Sequence, residues 1–348
     1  MEHYITLSLE AAQALSRRIL QRAGFSAGHV EAITRSVVAA QRDECHSHGL
    51  YRLLGIVETA ERGGLNPQAM PEVIDQAPGI VRVDAHYGSS LLAFEQGLAP
   101  LKEKAERNGI AVLAINHCFH FSALWSEVEA LSKMGLAGLA MNPTHAFVAP
   151  AGGMRALLGT NPFAFSWPRP GENPYTFDFA TSMVARGEIE LHHRAGDSIP
   201  DSWALDDQGQ PTTDPATALD GAMLPFGGHK GSALSTMIEL LAGPLIGDAL
   251  SHETQAANEA GTGRPCHGEL VIALSPKAFL GEQSEAGLLH AEKLFEEMLG
   301  QGARLPSQRR FEARSRSLKE GVTIPAALYR DLNALAGEEP AGEEENAH

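Results

Sequence analysis

Apolar residues recur at helical spacing from the beginning of the chain. Leu9, Ala12, Leu15, Ile19 and Leu20 share one face behind Ser8, a good helix cap, and Gly24 ends the pattern. A second helix is predicted from Ser26, burying Val30, Ile33, Val37 and Val38 and running to about Asp43. A third occupies Leu50 to Arg62 and stops at Gly63-Gly64. Beyond it the period changes. Gly79–Asp84 alternates like a strand, Ser89–Asn108 reads as a helix, and Ile110–Ile115 is a continuous apolar run suited to a buried strand. Further helices are predicted over Phe121–Lys133, Lys230–Leu245, Ser284–Leu299 and Ala326–Leu335. Strands are predicted over Leu136–Met141, Phe163–Trp167, Tyr175–Phe179 and Gly268–Leu274. Arg194–Pro215 and Ser251–His267 are polar, rich in small or turn-forming residues, and read as loops. The class is α/β, with helical ends.

Composition adds exclusions. The 348 residues allow two packed units, and 43% hydrophobic with 20% charged residues is ordinary for a globular protein. A formal net charge of -16 argues against nucleic acid as a partner, because phosphate binding needs clustered Lys and Arg. No stretch reaches the roughly 18 consecutive apolar residues of a membrane span. The amphipathic N-terminus, with Glu10, Arg17 and Arg18, does not read as a signal peptide. Cys45, Cys118 and Cys266 form an odd set without paired spacing, which suits a reducing compartment, so a cytoplasmic protein is expected. Gly337–His348 is acidic, lacks apolar periodicity and reads as a solvated, disordered tail.

Where the second helical pattern breaks, Ser47, His48 and Arg52 stand together. Ser47 can hydrogen-bond, His48 ordinarily titrates near neutrality, and the planar fork of Arg52 matches a carboxylate. The trio reads either as a site that anchors and protonates a small carboxylate, or as a structural histidine satisfied by backbone. Pro225–Ala233 is a glycine-rich turn entering a helix with His229 and Lys230 at its start, which suits phosphate or serves simply as a cap. Arg304–Arg310 offers a second cationic segment or a solvated loop. Gly159–Phe163 and Phe177–Ser182 read as crevice lining or as turn chemistry. No Gly-x-Gly-x-x-Gly or P-loop is present. His117, Cys118 and His120, with Cys45, His46 and His48, supply zinc-type donors but none of the usual zinc spacings, so no metal is expected.

Taken in order, Ser47-His48-Gly49 with Arg52, Gly159-Thr160-Asn161-Pro162, Asp178–Ser182 and Gly227–Gly231 resemble the malate/L-lactate dehydrogenase-like family of NAD(P)-dependent oxidoreductases, from about Leu9 to Leu335. Ala40–Asp43, His46–Gly49, Ala123–Trp125, Leu224–Ser235, Arg304–Pro306 and Arg309-Arg310 look most like its Δ1-piperideine-2-carboxylate/Δ1-pyrroline-2-carboxylate reductases. The resemblance implies a non-Rossmann fold with a mixed-sheet cofactor domain and helical N- and C-terminal parts packing together. Residues 1–110 with 295–336 would form the substrate and dimerisation part, 111–294 the NADPH-binding domain, and 337–348 the tail. It further implies reduction of cyclic imino acids by a homodimer using NADPH, with NADH as the variant cofactor.

By the same resemblance, Ser47 and His48 belong to a catalytic relay completed by a carboxylate at Glu188, and Arg52 and Thr160 contact substrate. Cofactor contacts fall to His120, Phe121, Ser122, Ala123 and Leu124, to Asp178, Phe179 and Ala180, and to His229 and Lys230. Arg304, Leu305, Pro306, Ser307, Gln308, Arg309 and Arg310 complete that set. The imine reductases carry aspartate where this chain has Glu188, whereas keto-acid-reducing relatives often carry lysine. An NAD(P)-dependent 2-keto-acid reductase is the nearest alternative reading. A metal-dependent hydrolase built on the Cys and His clusters, and a nucleotide-binding protein without turnover, are the others.

Overall fold

The Ser8 hydroxyl accepts a hydrogen bond from the Ala11 amide at 3.1 Å and starts the helix Leu9–Arg22. In the computed structural model, which describes residues 3–259 and 266–338, the chain divides into two compact units. The first joins both ends of the chain, 1–69 with 308–348. Its helices Leu9–Arg22, Ala27–Arg42 and Arg52–Glu61 come from one end, and Gln308–Glu320 and Ala326–Ala336 from the other. The strands Tyr4–Leu7 and Val322–Pro325 pair antiparallel, with Ile5 opposite Ile324. Leu15, Ile19, Ile33, Val37, Leu53 and Leu332 are buried, as the apolar spacing of their helices requires, and Val322 and Ile324 are buried on one face of their strand.

The second unit, 70–307, holds a seven-stranded mixed sheet. Its order is Glu72–Ala77, Ile80–Asp84, Ile110–Cys118, His267–Leu274, Ala137–Met141, Phe163–Trp167 and Tyr175–Phe179. Only Ile80–Asp84 and Ile110–Cys118 run parallel, joined by the helix Ser90–Asn108, and every other pairing is antiparallel. A doubly wound dinucleotide-binding sheet is parallel, so the missing glycine fingerprint and the topology agree. Both faces of the central strands are covered. Leu113, Ile115, Val271 and Ala273 pack with Phe94, Leu101, Val128 and Leu131, whereas Ala114, Met141 and Leu270 pack with Ile238, Ala242 and Ile246. That double burial is why Ala111–Ile115 is apolar without alternation, whereas Ile110, at the start of the strand, is exposed.

The unit boundaries fall at Met70 and Ser307 instead of residues 110 and 295; Ile80–Asp84 is a strand of the second unit's sheet and the helix Ser90–Asn108 packs on that sheet. Several elements differ from the sequence expectation. Ser251–Glu259 is helical where a loop is expected, and residues 260–265 of that loop lie outside the described residues. In the other expected loop, Arg194 and Ala195 close a helix, Arg186–Ala195, and Ala204–Leu205 pairs with Ala222–Met223 beyond it. The helix expected from Phe121 begins at Trp125, and the acidic tail from residue 339 lies outside the described residues. Among the described residues, no single helix is long and apolar enough to cross a membrane.

Candidate active site

In the first unit, the helix Ala27–Arg42 ends at Asp43, Glu44 takes a left-handed φ of 57°, and His46–His48 forms one 3-10 turn before Arg52 opens the next helix. Gln41 fastens this turn. Its amide nitrogen meets His46 Nδ1 at 2.9 Å and donates to the Thr323 carbonyl at 3.1 Å, while its Oε1 accepts from the Leu50 amide at 3.2 Å. Gly49 lies so close that a Cβ there would stand 2.3 Å from Gln41 Oε1, so a side chain at this crossing would displace the Gln41 amide from its partners. Below the turn, the fully buried Asp43 carboxylate receives Arg42 Nε at 2.7 Å, Arg310 Nη1 at 3.1 Å and Arg314 Nε at 3.0 Å. Burial alone would raise its pKa, but hydrogen bonds from Arg314 and Arg42 outweigh burial and hold it below the usual carboxylate range.

Ser47 Oγ lies 3.0 Å from His48 Nδ1. The half-buried His48 is pushed down to about 4, first by burial and then by the positive charge of Arg52. A carboxylate at Glu188, as the resemblance implies, would favour an imidazolium. The structure instead gives a ring that is neutral at pH 7. A cavity of about 310 Å³ in this unit takes in Gln41, Glu44, His46, Arg316 and Thr323, but not Ser47, His48 or Arg52.

The second unit gathers most of the remaining expected residues. Asp178 Oδ2 accepts the Trp125 amide at 3.0 Å, which ties the His120–Leu124 segment to the edge strand Tyr175–Phe179. Phe179 is exposed and meets Phe226 edge-on at 5.7 Å, and the Phe226 amide donates to the Thr181 carbonyl at 3.0 Å. Thr181 in turn donates its amide to the Thr160 carbonyl at 2.8 Å. Thr160 is placed by Thr144, whose hydroxyl accepts its amide at 2.9 Å and whose own amide donates to Asn161 Oδ1 at 3.0 Å. The Asn161 Nδ2 group donates to Ser235 Oγ at 2.9 Å and to the buried Glu239 at 2.8 Å. The segments around Thr160, Asp178–Ala180 and Phe226–Lys230 thus form one connected surface.

Gly227 and Gly228, at φ 56° and 61°, turn the chain into the helix His229–Ala242, leaving His229 and Lys230 exposed at its N-terminus. Backbone amides, the helix dipole and an exposed Lys make this a fit place for a dinucleotide phosphate, with the exposed Phe179 ring nearby for a flat heterocycle. Glu188 is exposed in the first turn of Arg186–Ala195, a helix seated by the buried Ile189 and by Arg186 over the Phe147 ring at 4.3 Å. Of the cationic segment, Arg304 and Arg309 are exposed and Leu305 is buried, with Pro306 and Ser307 closing the second unit and Gln308 opening the first. Arg310 is buried on Asp43, so its guanidinium holds the turn described above. Local sequence does not mark Gln41, Glu239 or Asp43 as functional, since each is tied to at least one partner remote in sequence.

Comparison with known proteins extends this picture. The family described as Malate/L-lactate dehydrogenase matches residues 7–333. A Δ1-pyrroline-2-carboxylate reductase of Pseudomonas fluorescens is 58% identical, covering 96% of this chain and 100% of its own. A Δ1-pyrroline-2-carboxylate/Δ1-piperideine-2-carboxylate reductase of Pseudomonas aeruginosa is 57% identical, covering 95% and 99%. The crystal structure of Δ1-piperideine-2-carboxylate reductase from Pseudomonas syringae pv. tomato superposes with a TM-score of 0.90 at 38% identity, covering 95% of this chain and 99% of that one.

Proposed function

The chain belongs to the malate/L-lactate dehydrogenase family, and from that premise we propose that it reduces the C=N bond of cyclic imino acids, converting Δ1-piperideine-2-carboxylate to L-pipecolate and Δ1-pyrroline-2-carboxylate to L-proline. The observation that carries this reading is identity of 57 and 58% along almost the whole length of two reductases of that name. The family is NAD(P)-dependent, and within it we take NADPH as the cofactor.

We assign its phosphates to the helix start at His229 and Lys230 and to the exposed Arg304 and Arg309, with His120–Leu124 and Asp178–Ala180 along the rest of its length. When bound, it supplies the hydride that adds to C2 of the ring imine. The residues of the first unit prepare that carbon. Arg52 pairs with the C2 carboxylate and fixes which ring face is presented, a positioning effect that depends on its two-pronged geometry.

The imine carbon is electrophilic when the nitrogen carries a proton, and a neutral His48 suits that form. With Nδ1–H donated to Ser47 Oγ, 3.0 Å away, the lone pair on Nε2 accepts a hydrogen bond from the iminium N–H and stabilises it. Pairing of Arg52 with the substrate carboxylate removes part of the charge that holds His48 down, so the imidazole gains basicity when substrate binds. One proton is then shared between substrate nitrogen and His48, and stays on the nitrogen as the amine forms. Thr160 and Glu188 are assigned to substrate contact and to the relay, respectively. A homodimer and a cytoplasmic location complete the proposal, supported by the exposed Phe279, Leu289 and Leu294 and by three free cysteines.

A substrate panel tests the reading. Purified protein should oxidise NADPH in the presence of either cyclic imino acid, and faster than NADH. Oxidation with pyruvate or oxaloacetate but with neither imine would replace it with a 2-keto-acid reductase.

A further inference from the structure

Three ionisable side chains meet inside the second unit although they lie far apart in sequence. His120 follows the Ile110–Cys118 strand, Glu127 lies in the first turn of Trp125–Lys133, and Glu269 sits on the central strand His267–Leu274. One donor atom from each lies within 4.8 Å of the others, and His120 Nε2 is 4.0 Å from Glu269 Oε2. The setting is closed to water. Glu127 and Glu269 are 1% and 0% exposed, and the His120 side chain 4%.

The Ser126 hydroxyl donates to Glu127 Oε2 at 2.6 Å. Among the described residues, Glu127 Oε1 and both oxygens of Glu269 have no hydrogen-bond partner. Ser90 Oγ is near enough to favour the ionised form of Glu269, yet it makes no well-formed bond. Burial, with the two carboxylates facing each other, pushes the Glu269 carboxyl well up. Burial also raises Glu127, to about 7. Two buried carboxylates with three orphaned oxygens need a positive charge between them or a shared proton. A shared proton joins two of those oxygens and leaves the third without a partner. A cation engages all three and uses the imidazole as well.

We propose that His120, Glu127 and Glu269 hold one divalent first-row metal ion, Zn²⁺ or Mn²⁺, through the imidazole Nε2 and carboxylate oxygens. One nitrogen and two or three oxygens form an ordinary donor set for these ions. Ligands about 2.1 Å from a tetrahedral ion stand about 3.4 Å apart, so the 4.0 Å gap closes with a small side-chain rotation. The ion ties the turn carrying His120–Leu124 to the central strand. The spacing from 120 to 127 to 269 matches no linear zinc motif, so the sequence alone pointed to no metal.

Metal content decides this independently of turnover, so the outcome stands apart from the imine-reductase reading. Untagged full-length protein is dialysed against EDTA, loaded with ZnCl₂ or MnCl₂, freed of excess metal by gel filtration and analysed by mass spectrometry. The expected result is about one equivalent retained, with at least about a five-fold loss in both Glu269→Gln and Glu127→Gln. Metal loading should also raise the Tm of the wild type and leave that of either variant unchanged. X-ray absorption of the zinc form should show nitrogen and oxygen ligands without sulfur. Wild type retaining less than about 0.1 equivalent of both metals overturns the proposal in favour of a shared proton. Sulfur ligation, or variants that retain as much metal as wild type, overturns it in favour of a site elsewhere. Should a variant fail to fold, wild-type stoichiometry and ligand type still decide.

Discussion

His48 is the residue on which sequence and structure differ most usefully. A histidine beside a serine and near a carboxylate suggests a charged acid, but burial and the Arg52 charge bring it to about 4. We therefore expect the ¹⁵N imidazole signal of His48 to report a neutral ring down to about pH 5 in the free protein, and its pKa to rise when L-proline occupies Arg52. Titration near 6.5 in both states would contradict the neutral-acceptor role. Steady-state kinetics separate the neighbouring roles. His48→Ala should lower kcat by about 100- to 10,000-fold, whereas Arg52→Lys, which keeps the charge but loses the fork, should act mainly on KM. Glu188→Asp should retain most of the activity and Glu188→Gln should lose it if a carboxylate completes the relay. Equal kinetics for the two variants would remove Glu188 from it.

One element beside that residue is held mainly by polar contacts. The helix Gln308–Glu320 buries Arg310, Ala313 and Ser317, and its inward face is anchored by Arg310 and Arg314 on Asp43. Asp43→Asn should leave three guanidinium groups without their counter-charge and cost about 3–5 kcal/mol, read as a lower urea midpoint at pH 7. Gln41→Leu keeps the volume but abandons the Leu50 amide and the Thr323 carbonyl, for about 1–3 kcal/mol and a loss in kcat as the His46–His48 turn loosens. Such anchoring explains what the sequence revealed and what it hid. Leu9–Arg22 and Ala27–Arg42 were legible because their buried positions repeat at helical spacing. Gln308–Glu320 and Arg186–Ala195 were not, since their inward residues are charged, small or, at Ile189, single. The strand Tyr4–Leu7 is four residues long, and its partner Val322–Pro325 lies at the other end of the chain, so no local pattern announces it. In the site, Ser47, His48 and Arg52 were visible as neighbours in sequence. The Asp43 and Gln41 anchors depend on contacts of long range.

At the scale of the whole molecule, the first unit exists because the two ends of the chain fold together, and its response to acid can be followed apart from that of the second. His29, fully buried in the helix Ala27–Arg42, has its Nε2 3.1 Å from the Ala69 carbonyl. Burial pushes its pKa down to about 4, against about 6.5 in an unfolded chain. Between those values the unfolded state binds more protons than the folded one, so stability rises with pH across that window and is lost as pH falls through it. One such histidine contributes a slope of about 1.4 kcal/mol per pH unit, or about ten-fold in the opening equilibrium. Trp125, Trp167 and Trp203 all lie in the second unit, so fluorescence does not follow this change and hydrogen exchange of residues 27–42 does. Exchange protection in that helix should fall by at least about ten-fold per unit between pH 6 and 4.5, after correction for the intrinsic rate, since His48 of the same unit adds to the slope. In His29→Gln, whose amide can still reach the Ala69 carbonyl, protection should start lower and fall less steeply over the same range, leaving the slope that His48 contributes. A wild-type profile no steeper than that of the variant would mean that protonation of His29 does not help to open the first unit.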